Sequence, residues 1–266
     1  MINKPIGLID SGVGGLTVMK EAIRQLPNES FYYVGDTKRC PYGPRTPEEV
    51  LDFTWDMVQF LLKKDIKMLV IACNTATAVA LSNIKNKLSI PVIGVIQPGS
   101  LAAIKMTKNK QIGVIGTQGT VNSEVYTETI NKKSASANVV SLACPSFVNI
   151  VETNRATTKY AWQEVQSTLE PFNDTNIDTL IMGCTHFPHL RPLIQEAVGT
   201  KVELIDSGAE TVALMSTILD YEELNASHEN VSNNHKFFTT GEVEPFEEIA
   251  SDWLDRTDLD VEHIKF

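Results

Sequence analysis

Two apolar runs of the chain each end on a cysteine, and the two thiols are its clearest candidate reactive groups. The first run extends from Met68 to Cys73 and the second from Thr179 to Cys184. Each is typical of a parallel strand buried on both faces and passes into a helical pattern, Ala76 to Leu88 after the first and Leu190 to Val198 after the second. Both thiols should therefore lie at the carboxyl edge of an open α/β sheet, where ligands bind. Because a helix amino terminus favours a thiolate, the pattern predicts a pair of acid–base groups.

A cysteine in an apolar strand is more often a small core residue than a catalytic group. Two features favour chemistry for Cys73 and Cys184: both are predicted at the last strand position, and they match each other in a repeat. A thiol of ordinary pKa must lose about one or two units to act as a base at neutral pH. Helix starts at Asn74 and Thr185, and the imidazole of His186, could supply this. No third or fourth ligand is clustered with them, so we expect no metal.

Other polar residues are expected at the same sheet edge. Asp10 ends the first predicted strand, where its alternative role is to cap the following turn. Glu152 follows another strand end and would otherwise be an ordinary helix glutamate. Hydroxyl groups suited to holding carboxylates are predicted at four positions, which are Ser11, Thr75, Thr117 and Thr185.

The elements that position these residues form two matching sets of strands. Matching strands are separated by a nearly constant number of residues: Ile112 follows Ile6 by 106 residues, and Cys184 follows Cys73 by 111. This indicates a duplicated α/β unit. The first set is Ile6–Asp10, Phe31–Asp36, Met68–Cys73 and Pro91–Val95; the second is Gln111–Gly116, Val139–Cys144, Thr179–Cys184 and Val202–Asp206.

The rest of the chain contains two notable loops and a tail. Residues 10–15 form a glycine-rich turn that either cradles an anion or simply joins strand to helix, and it matches no nucleotide fingerprint. Residues 36–45 form a proline-containing loop that is either a substrate wall or a connector. Asn225 to Asn234 is predicted to be a loop. The tail beyond it, with a strand near Lys236 and a helix from Glu244, should return to the first lobe.

Composition bounds the class of protein. Of 266 residues, 42% are hydrophobic and 21% charged, as in globular proteins, and the net charge of -10 argues against general nucleic-acid binding. Neither a signal peptide nor a membrane span is expected. Four cysteines do not resemble a disulfide framework, so we expect a cytoplasmic protein without disulfides.

Taken together, the motifs resemble those of the glutamate racemases, within the cofactor-independent aspartate/glutamate racemase family. The resemblance covers essentially the whole chain and is specific when the motifs occur together. The matching stretches are 9–15, 34–36, 41–43, 72–75, 183–188 and 205–208.

The resemblance implies racemisation of glutamate by two bases, without a cofactor. Cys73 and Cys184 would lie on opposite faces of the substrate α-carbon, one removing a proton while the other donates one. Asp10 would assist Cys73, and Glu152 with His186 would assist Cys184. The implied substrate contacts are Asp10, Ser11, Tyr42, Gly43, Asn74, Thr75, Thr185 and His186, to which the hydroxyl of Thr117 is added.

The implied fold is two flavodoxin-like lobes related by pseudo-twofold symmetry, with the active site in the cleft between them. Lobe 1 would comprise residues 1–97 and 208–266, and lobe 2 residues 98–207. A homodimer that supplies D-glutamate for peptidoglycan is expected, with no nucleic-acid or membrane partner. The alternatives are an aspartate or hydantoin racemase and a ligand-binding or redox protein on the same scaffold, although no Cys-x-x-Cys motif occurs.

Overall fold

The computed structural model describes residues 2–227 and 234–266, and these divide into two compact units. The first unit is Met1–Val95 with Gly208–Phe266, and the second is Ile96–Ser207. Of the loop predicted at Asn225 to Asn234, residues 228–233 lie outside the described part. None of the described helices is both long and apolar enough to cross a membrane.

Strands and helices alternate along the described residues. The strands are β1 Ile6–Asp10, β2 Phe31–Gly35, β3 Met68–Ile71, β4 Val92–Gly94, β5 Gln111–Gly116, β6 Asn138–Ala143, β7 Thr179–Gly183, β8 Glu203–Asp206, β9 Lys236–Thr239 and β10 Val261–His263. The α-helices are α1 Leu16–Gln25, α2 Pro47–Lys63, α3 Asn74–Lys85, α4 Ile96–Met106, α5 Gln118–Asn122, α6 Val125–Lys133, α7 Pro145–Glu152, α8 Lys159–Leu169, α9 Arg191–Val198, α10 Ser207–Tyr221 and α11 Val243–Leu254. Two 3-10 helical turns span Glu170–Asp174 and Phe187–Leu190.

The first unit is built on a parallel sheet with the strand order β10-β9-β2-β1-β3-β4. Its central strands are apolar on both faces because helices cover both sides. Along β1 and β2, Leu8 and Tyr33 pack into the core on one face. Ile9 and Val34 pack into the core on the other. The continuous apolar runs of the sequence are therefore explained by burial on two sides.

The second unit repeats this arrangement. Its sheet has the order β6-β5-β7-β8, also parallel throughout, which matches β2-β1-β3-β4 of the first unit strand for strand. Parallel neighbours require a crossover connection, and each here contains a helix. The predicted α/β class, with a parallel sheet in each of two lobes, is confirmed.

The chain beyond α10 adds strands to the first sheet. β9 pairs in parallel with β2, with Tyr32 opposite Lys236, and β10 pairs with β9. α11 packs against α1 and buries Phe246 in the same core. These additions have no counterpart among the strands of the second sheet.

The strands that lead to the two cysteines are slightly shorter than predicted. β3 ends at Ile71, so Cys73 lies two residues beyond the strand, and β7 ends at Gly183, directly before Cys184. The last register pairs are Ile71 with Ile9 for β3 and Gly183 with Gly116 for β7. The strand pairing thus stops before each thiol, which leaves both cysteines in the connection that follows.

Candidate active site

Cys73 is the residue that caps the amino terminus of α3. Its sulfur accepts a hydrogen bond from the backbone N–H of Ala76, at 3.4 Å, and donates one to Ser11 Oγ, at 3.6 Å. The positive end of a helix favours a thiolate at this position. Cys73 is 6% exposed, so the residue is largely removed from water.

The turn after β1 places Asp10 and Ser11 in the same unit as Cys73. Asp10 is fully buried, and its Oδ1 accepts a hydrogen bond from Gly12 N at 2.9 Å, so the carboxylate stabilises the turn that carries Ser11. Asn74 and Thr75 open α3 and are also buried. The structure therefore brings the turn and the helix start together at Cys73.

Tyr42 lies in the proline-containing loop, and its side chain is turned into the protein. Its hydroxyl donates to Asp36 Oδ2 at 2.5 Å, and the ring is buried with Gly43. Burial, and next the Asp36 carboxylate, raise the pKa of Tyr42 well above its usual value. The phenol is therefore neutral and anchors the loop. In this segment, the backbone of Gly43 is then the group that could contact a ligand.

The anchor of this loop was not predicted from the sequence. Asp36, fully buried, also accepts hydrogen bonds from Arg39 Nε at 2.6 Å and from Thr240 Oγ1 at 2.7 Å. Arg39 Nη1 donates further to Asp56 Oδ2 at 2.7 Å. An acidic residue at the end of an apolar strand, with an arginine three residues later, is the signal that could have indicated it. Thr240 lies more than 200 residues away, beyond the reach of local patterns.

Cys184 is accompanied by an imidazole and a carboxylate in the second unit. Its sulfur lies 3.8 Å from Nδ1 of His186, and Nε2 of His186 lies 3.0 Å from Oε1 of Glu152. Burial lowers the pKa of His186, but the hydrogen bonds to Cys184 and Glu152 outweigh it and raise that pKa to about 10. His186 is therefore an imidazolium at neutral pH, a neighbour that favours a thiolate.

The packing of two phenylalanines brings Glu152 to His186. Phe147 on α7 and Phe187, directly after His186, are fully buried and meet edge to face with ring centroids 5.3 Å apart. Glu152 is the last residue of α7. Its position beside the imidazole thus follows from a tertiary contact, since 34 residues separate the two along the chain.

The helix amino terminus predicted at Thr185 does not form, whereas the helical pattern predicted from Leu190 to Val198 does. A 3-10 turn over Phe187–Leu190 follows Cys184, and α9 begins only at Arg191. Pro192 explains this, because its ring would clash with the carbonyl four residues earlier if an α-helix ran through it, whereas proline is tolerated in a first helical turn. The support for the Cys184 thiol therefore comes from His186 and Glu152.

Two threonines complete the polar residues of this unit. Thr117 follows β5, caps α5 and accepts a hydrogen bond from Thr120 N at 3.2 Å. Thr185, between Cys184 and His186, is 8% exposed. Gly116 pairs with Gly183 in the sheet, so both threonines lie at the carboxyl ends of adjacent strands. Ligand-binding residues are typical of that edge.

Metal and disulfide chemistry find no candidates in the part of the chain that is described. No group of three or more His, Cys, Asp or Glu residues there could hold a metal ion. All four cysteines fall in this part, and none forms a disulfide bond.

Comparison with known proteins identifies the family. A family model described as Asp/Glu/Hydantoin racemase matches residues 6–215. The chain belongs to the Asp/Glu/hydantoin racemase family. A glutamate racemase from Carnobacterium sp. (strain St2) is 60% identical over 265 residues, covering 99% of each chain. As a racemase of this family, similar over its full length to glutamate racemases, the chain is an isomerase acting on amino acids.

Solved structures of this racemase family agree with the fold. A glutamate racemase isoform from Bacillus anthracis matches with a TM-score of 0.97 and 47% identity, over 100% of this chain and 99% of that one. A glutamate racemase from Francisella tularensis, solved in complex with D-glutamate, matches with a TM-score of 0.91 and 31% identity, over 100% and 98%. The recognition of the glutamate racemase pattern in the sequence is thereby confirmed.

Proposed function

We propose that this racemase interconverts L- and D-glutamate by transferring protons between the substrate and two cysteines, Cys73 and Cys184, without a cofactor. The observation that carries the proposal is that each thiol has its own built polar support. Cys73 has a helix amino terminus and the Ser11 hydroxyl. Cys184 has the His186–Glu152 pair. Cysteines that served only as core residues would not need either arrangement.

The reaction itself demands two such groups. Inversion of an α-carbon requires that a base remove the proton from one face and that an acid deliver a proton to the other. The carbanion formed between these steps is unstable beside a carboxylate. Positioned acid–base groups contribute about 10² to 10⁴-fold, and oriented hydrogen-bond donors in a water-excluded site stabilise the developing charge. The thiolate of one cysteine would act as the base while the thiol of the other acts as the acid, with the roles exchanged for the other enantiomer.

We assign the assisting groups according to which thiol they accompany. Asp10 and Ser11 would set the position and charge balance of Cys73, because Asp10 stabilises the turn from which Ser11 contacts the sulfur. His186 would orient the Cys184 sulfur and place a positive charge 3.8 Å from it, since its pKa of about 10 keeps the imidazolium protonated throughout the neutral range. Glu152 would keep His186 charged and oriented.

Most of the groups proposed to hold the substrate are uncharged. Hydroxyl and amide side chains at Ser11, Asn74, Thr75 and Thr185 are each less than a tenth exposed and can donate to carboxylate oxygens. The Thr117 hydroxyl, the Tyr42–Gly43 backbone, Asp10 and the His186 side chain are proposed as further contacts. Hydrogen-bond donors to the substrate carboxylate suit a reaction in which negative charge develops at the α-carbon and spreads into that carboxylate.

The wider role follows from the proposed product. We infer that the protein works in the cytoplasm as a homodimer and supplies D-glutamate for peptidoglycan synthesis. The support is the resemblance of the whole chain to bacterial glutamate racemases, one of them solved with D-glutamate.

Serine replacements of the two thiols test the proposal. Cys73→Ser and Cys184→Ser keep the shape of the side chain but remove a readily ionised base, so each should lose about 10² to 10⁴-fold in turnover. The measurement is circular dichroism of D-glutamate and L-glutamate incubated with purified protein, with Cys40→Ser as the matched control. In deuterated water, early product should carry deuterium at the α-carbon.

Two results would contradict this assignment. Near wild-type turnover of either serine variant would remove that thiol from the mechanism. Faster racemisation of D-aspartate than of D-glutamate in the same assay would place the protein with the aspartate racemases.

A further inference from the structure

A buried tyrosine hydroxyl connects the sheet of the first unit to the turn beside Cys73. Tyr33, in the middle of β2, is fully buried, and its ring packs between Phe237 and Phe246 with centroid distances of 6.3 Å and 6.1 Å. Its hydroxyl donates a hydrogen bond to Gly12 O at 2.8 Å. A buried phenol is usually fixed by such a partner, and here the partner lies in the turn that follows β1.

The same hydroxyl also lies close to Gly15, at the other end of this turn. Burial, followed by the nearby Asp10 charge, raises the pKa of Tyr33 well above its ordinary value, so the phenol stays protonated and remains a donor to Gly12. The Tyr33 hydroxyl is therefore bonded to Gly12 and packed against Gly15, the two ends of this segment.

The glycine at position 15 shows how closely these groups are packed. A Cβ at Gly15 would lie 2.8 Å from the Tyr33 hydroxyl and 2.6 Å from the Cβ of Asp10, which is closer than real Cβ contacts. The backbone of the turn thus lies directly against both side chains. Any loss of the Tyr33 hydroxyl would be felt by Asp10 and by Ser11, the residue that contacts the Cys73 sulfur.

We propose that Tyr33 is a positioning residue for proton transfer at Cys73, acting through the turn of residues 10–15. The proposal rests on the two-thiol reaction proposed above and adds a residue to one half of it. Tyr33 does not touch the substrate. It fixes the turn, the turn places Ser11 and Asp10, and these place the Cys73 sulfur. All of these contacts lie within the first unit, so Tyr33 should affect proton transfer at Cys73 and not at Cys184.

Removal of the hydroxyl alone tests this assignment. Tyr33→Phe keeps the ring in the core but removes the hydroxyl that donates to Gly12 O, and kcat/KM should fall about tenfold. The fall must be equal in both directions because the two enantiomers have the same free energy. Tyr32→Phe is the matched control: it lies next to Tyr33 on the same strand, on the opposite face, and packs against Phe238.

The decisive readout is the kinetic isotope effect with substrate deuterated at the α-carbon. A change that slows proton transfer at one thiol makes that step more rate-limiting, so the isotope effect rises only for the enantiomer whose proton that thiol removes. Tyr33→Phe should raise it for one enantiomer, and Glu152→Gln, which acts on Cys184, should raise it for the other. A purely structural defect would change both alike.

The possible results separate this proposal from the proposed function. If wild-type protein racemises glutamate but Tyr33→Phe leaves both isotope effects unchanged, or raises them for the same enantiomer as Glu152→Gln, the assignment of Tyr33 is wrong and the racemase proposal stands. If wild-type protein does not racemise glutamate, both proposals fail. Should Tyr33→Phe not fold, Gly15→Ala disturbs the same point with the phenol intact, and the same directional isotope effect is expected from it.

Discussion

Replacement of Glu152 by glutamine changes only the charge beside His186, which makes its effect predictable in size. The amide can still occupy the 3.0 Å contact with His186 Nε2, but it carries no charge. Because His186 stays an imidazolium, the glutamine bond is still a bond to a charged group, and what is lost is the attraction between two opposite charges. A partly exposed ion pair contributes about 0.2–1 kcal/mol, which corresponds to a loss of up to about fivefold in kcat/KM. Because the Glu152 side chain is 32% exposed, solvent screening favours the lower end.

For the same variant, the direction in which the pH profile shifts can also be predicted. His186 has its pKa raised to about 10, partly by Glu152, so activity that needs the imidazolium is lost as the pH rises through that value. Without the carboxylate this pKa falls, and the alkaline limb of kcat/KM should move to lower pH. The assay is racemisation followed by circular dichroism from pH 6 to about 10.5.

Glu203→Gln is the matched control for this variant. Glu203 opens β8 and is exposed, at the amino end of its strand, whereas the proposed site lies at the carboxyl ends. The control should keep the wild-type rate and profile. An alkaline limb that stays in place in Glu152→Gln would show that His186 does not depend on Glu152 for its charge, and the reasoning from the 3.0 Å contact would be wrong.

Two further variants test the first unit. Lys67→Met breaks a buried ion pair in which Lys67 Nζ lies 2.6 Å from Glu29 Oε2. Because the carboxylate is left without its counter-charge, the free energy of unfolding measured in urea should fall by about 3–5 kcal/mol. The double variant with Glu29→Gln should recover part of this loss. Equal losses in the single and double variants would contradict this. Tyr42→Phe removes the hydroxyl that binds Asp36 and so loosens a loop proposed to bind substrate. It should raise KM for glutamate more than it lowers kcat. An unchanged KM would show that the loop does not depend on this bond.

The apolar runs made the sheets predictable. β1 and β5 have the predicted bounds, and the repeat offsets matched strands that prove equivalent in the two sheets. Such predictions succeed because a strand buried on both faces must be apolar at every position, which is a local property of the sequence. The positions of Cys73 and Cys184 followed from the same property, within one or two residues of the strand ends.

Contacts between residues far apart in the sequence could not be predicted, because they are not a local property of the sequence. The bond from Thr240 to Asp36 joins residues 204 apart, and that from Tyr33 to Gly12 joins β2 to the turn after β1 through a side chain that the sequence indicates only as an ordinary core aromatic. The missing helix start at Thr185, by contrast, has a cause that is local in the sequence. The prolines at 188 and 192 are visible in the sequence, and the second of them explains why α9 starts late.

The two thiols occupy equivalent places in a duplicated fold, yet their supports differ. Residue 186 minus the offset of 111 is residue 75, so the position of His186 in the second unit is held by Thr75 in the first. Cys73 has a helix amino terminus beside it, whereas Cys184 lacks that helix and has an imidazolium instead. Either arrangement places positive charge next to sulfur. Only the imidazolium can lose its charge by titration, so the two proton transfers should respond differently to pH although kcat/KM must stay equal in the two directions.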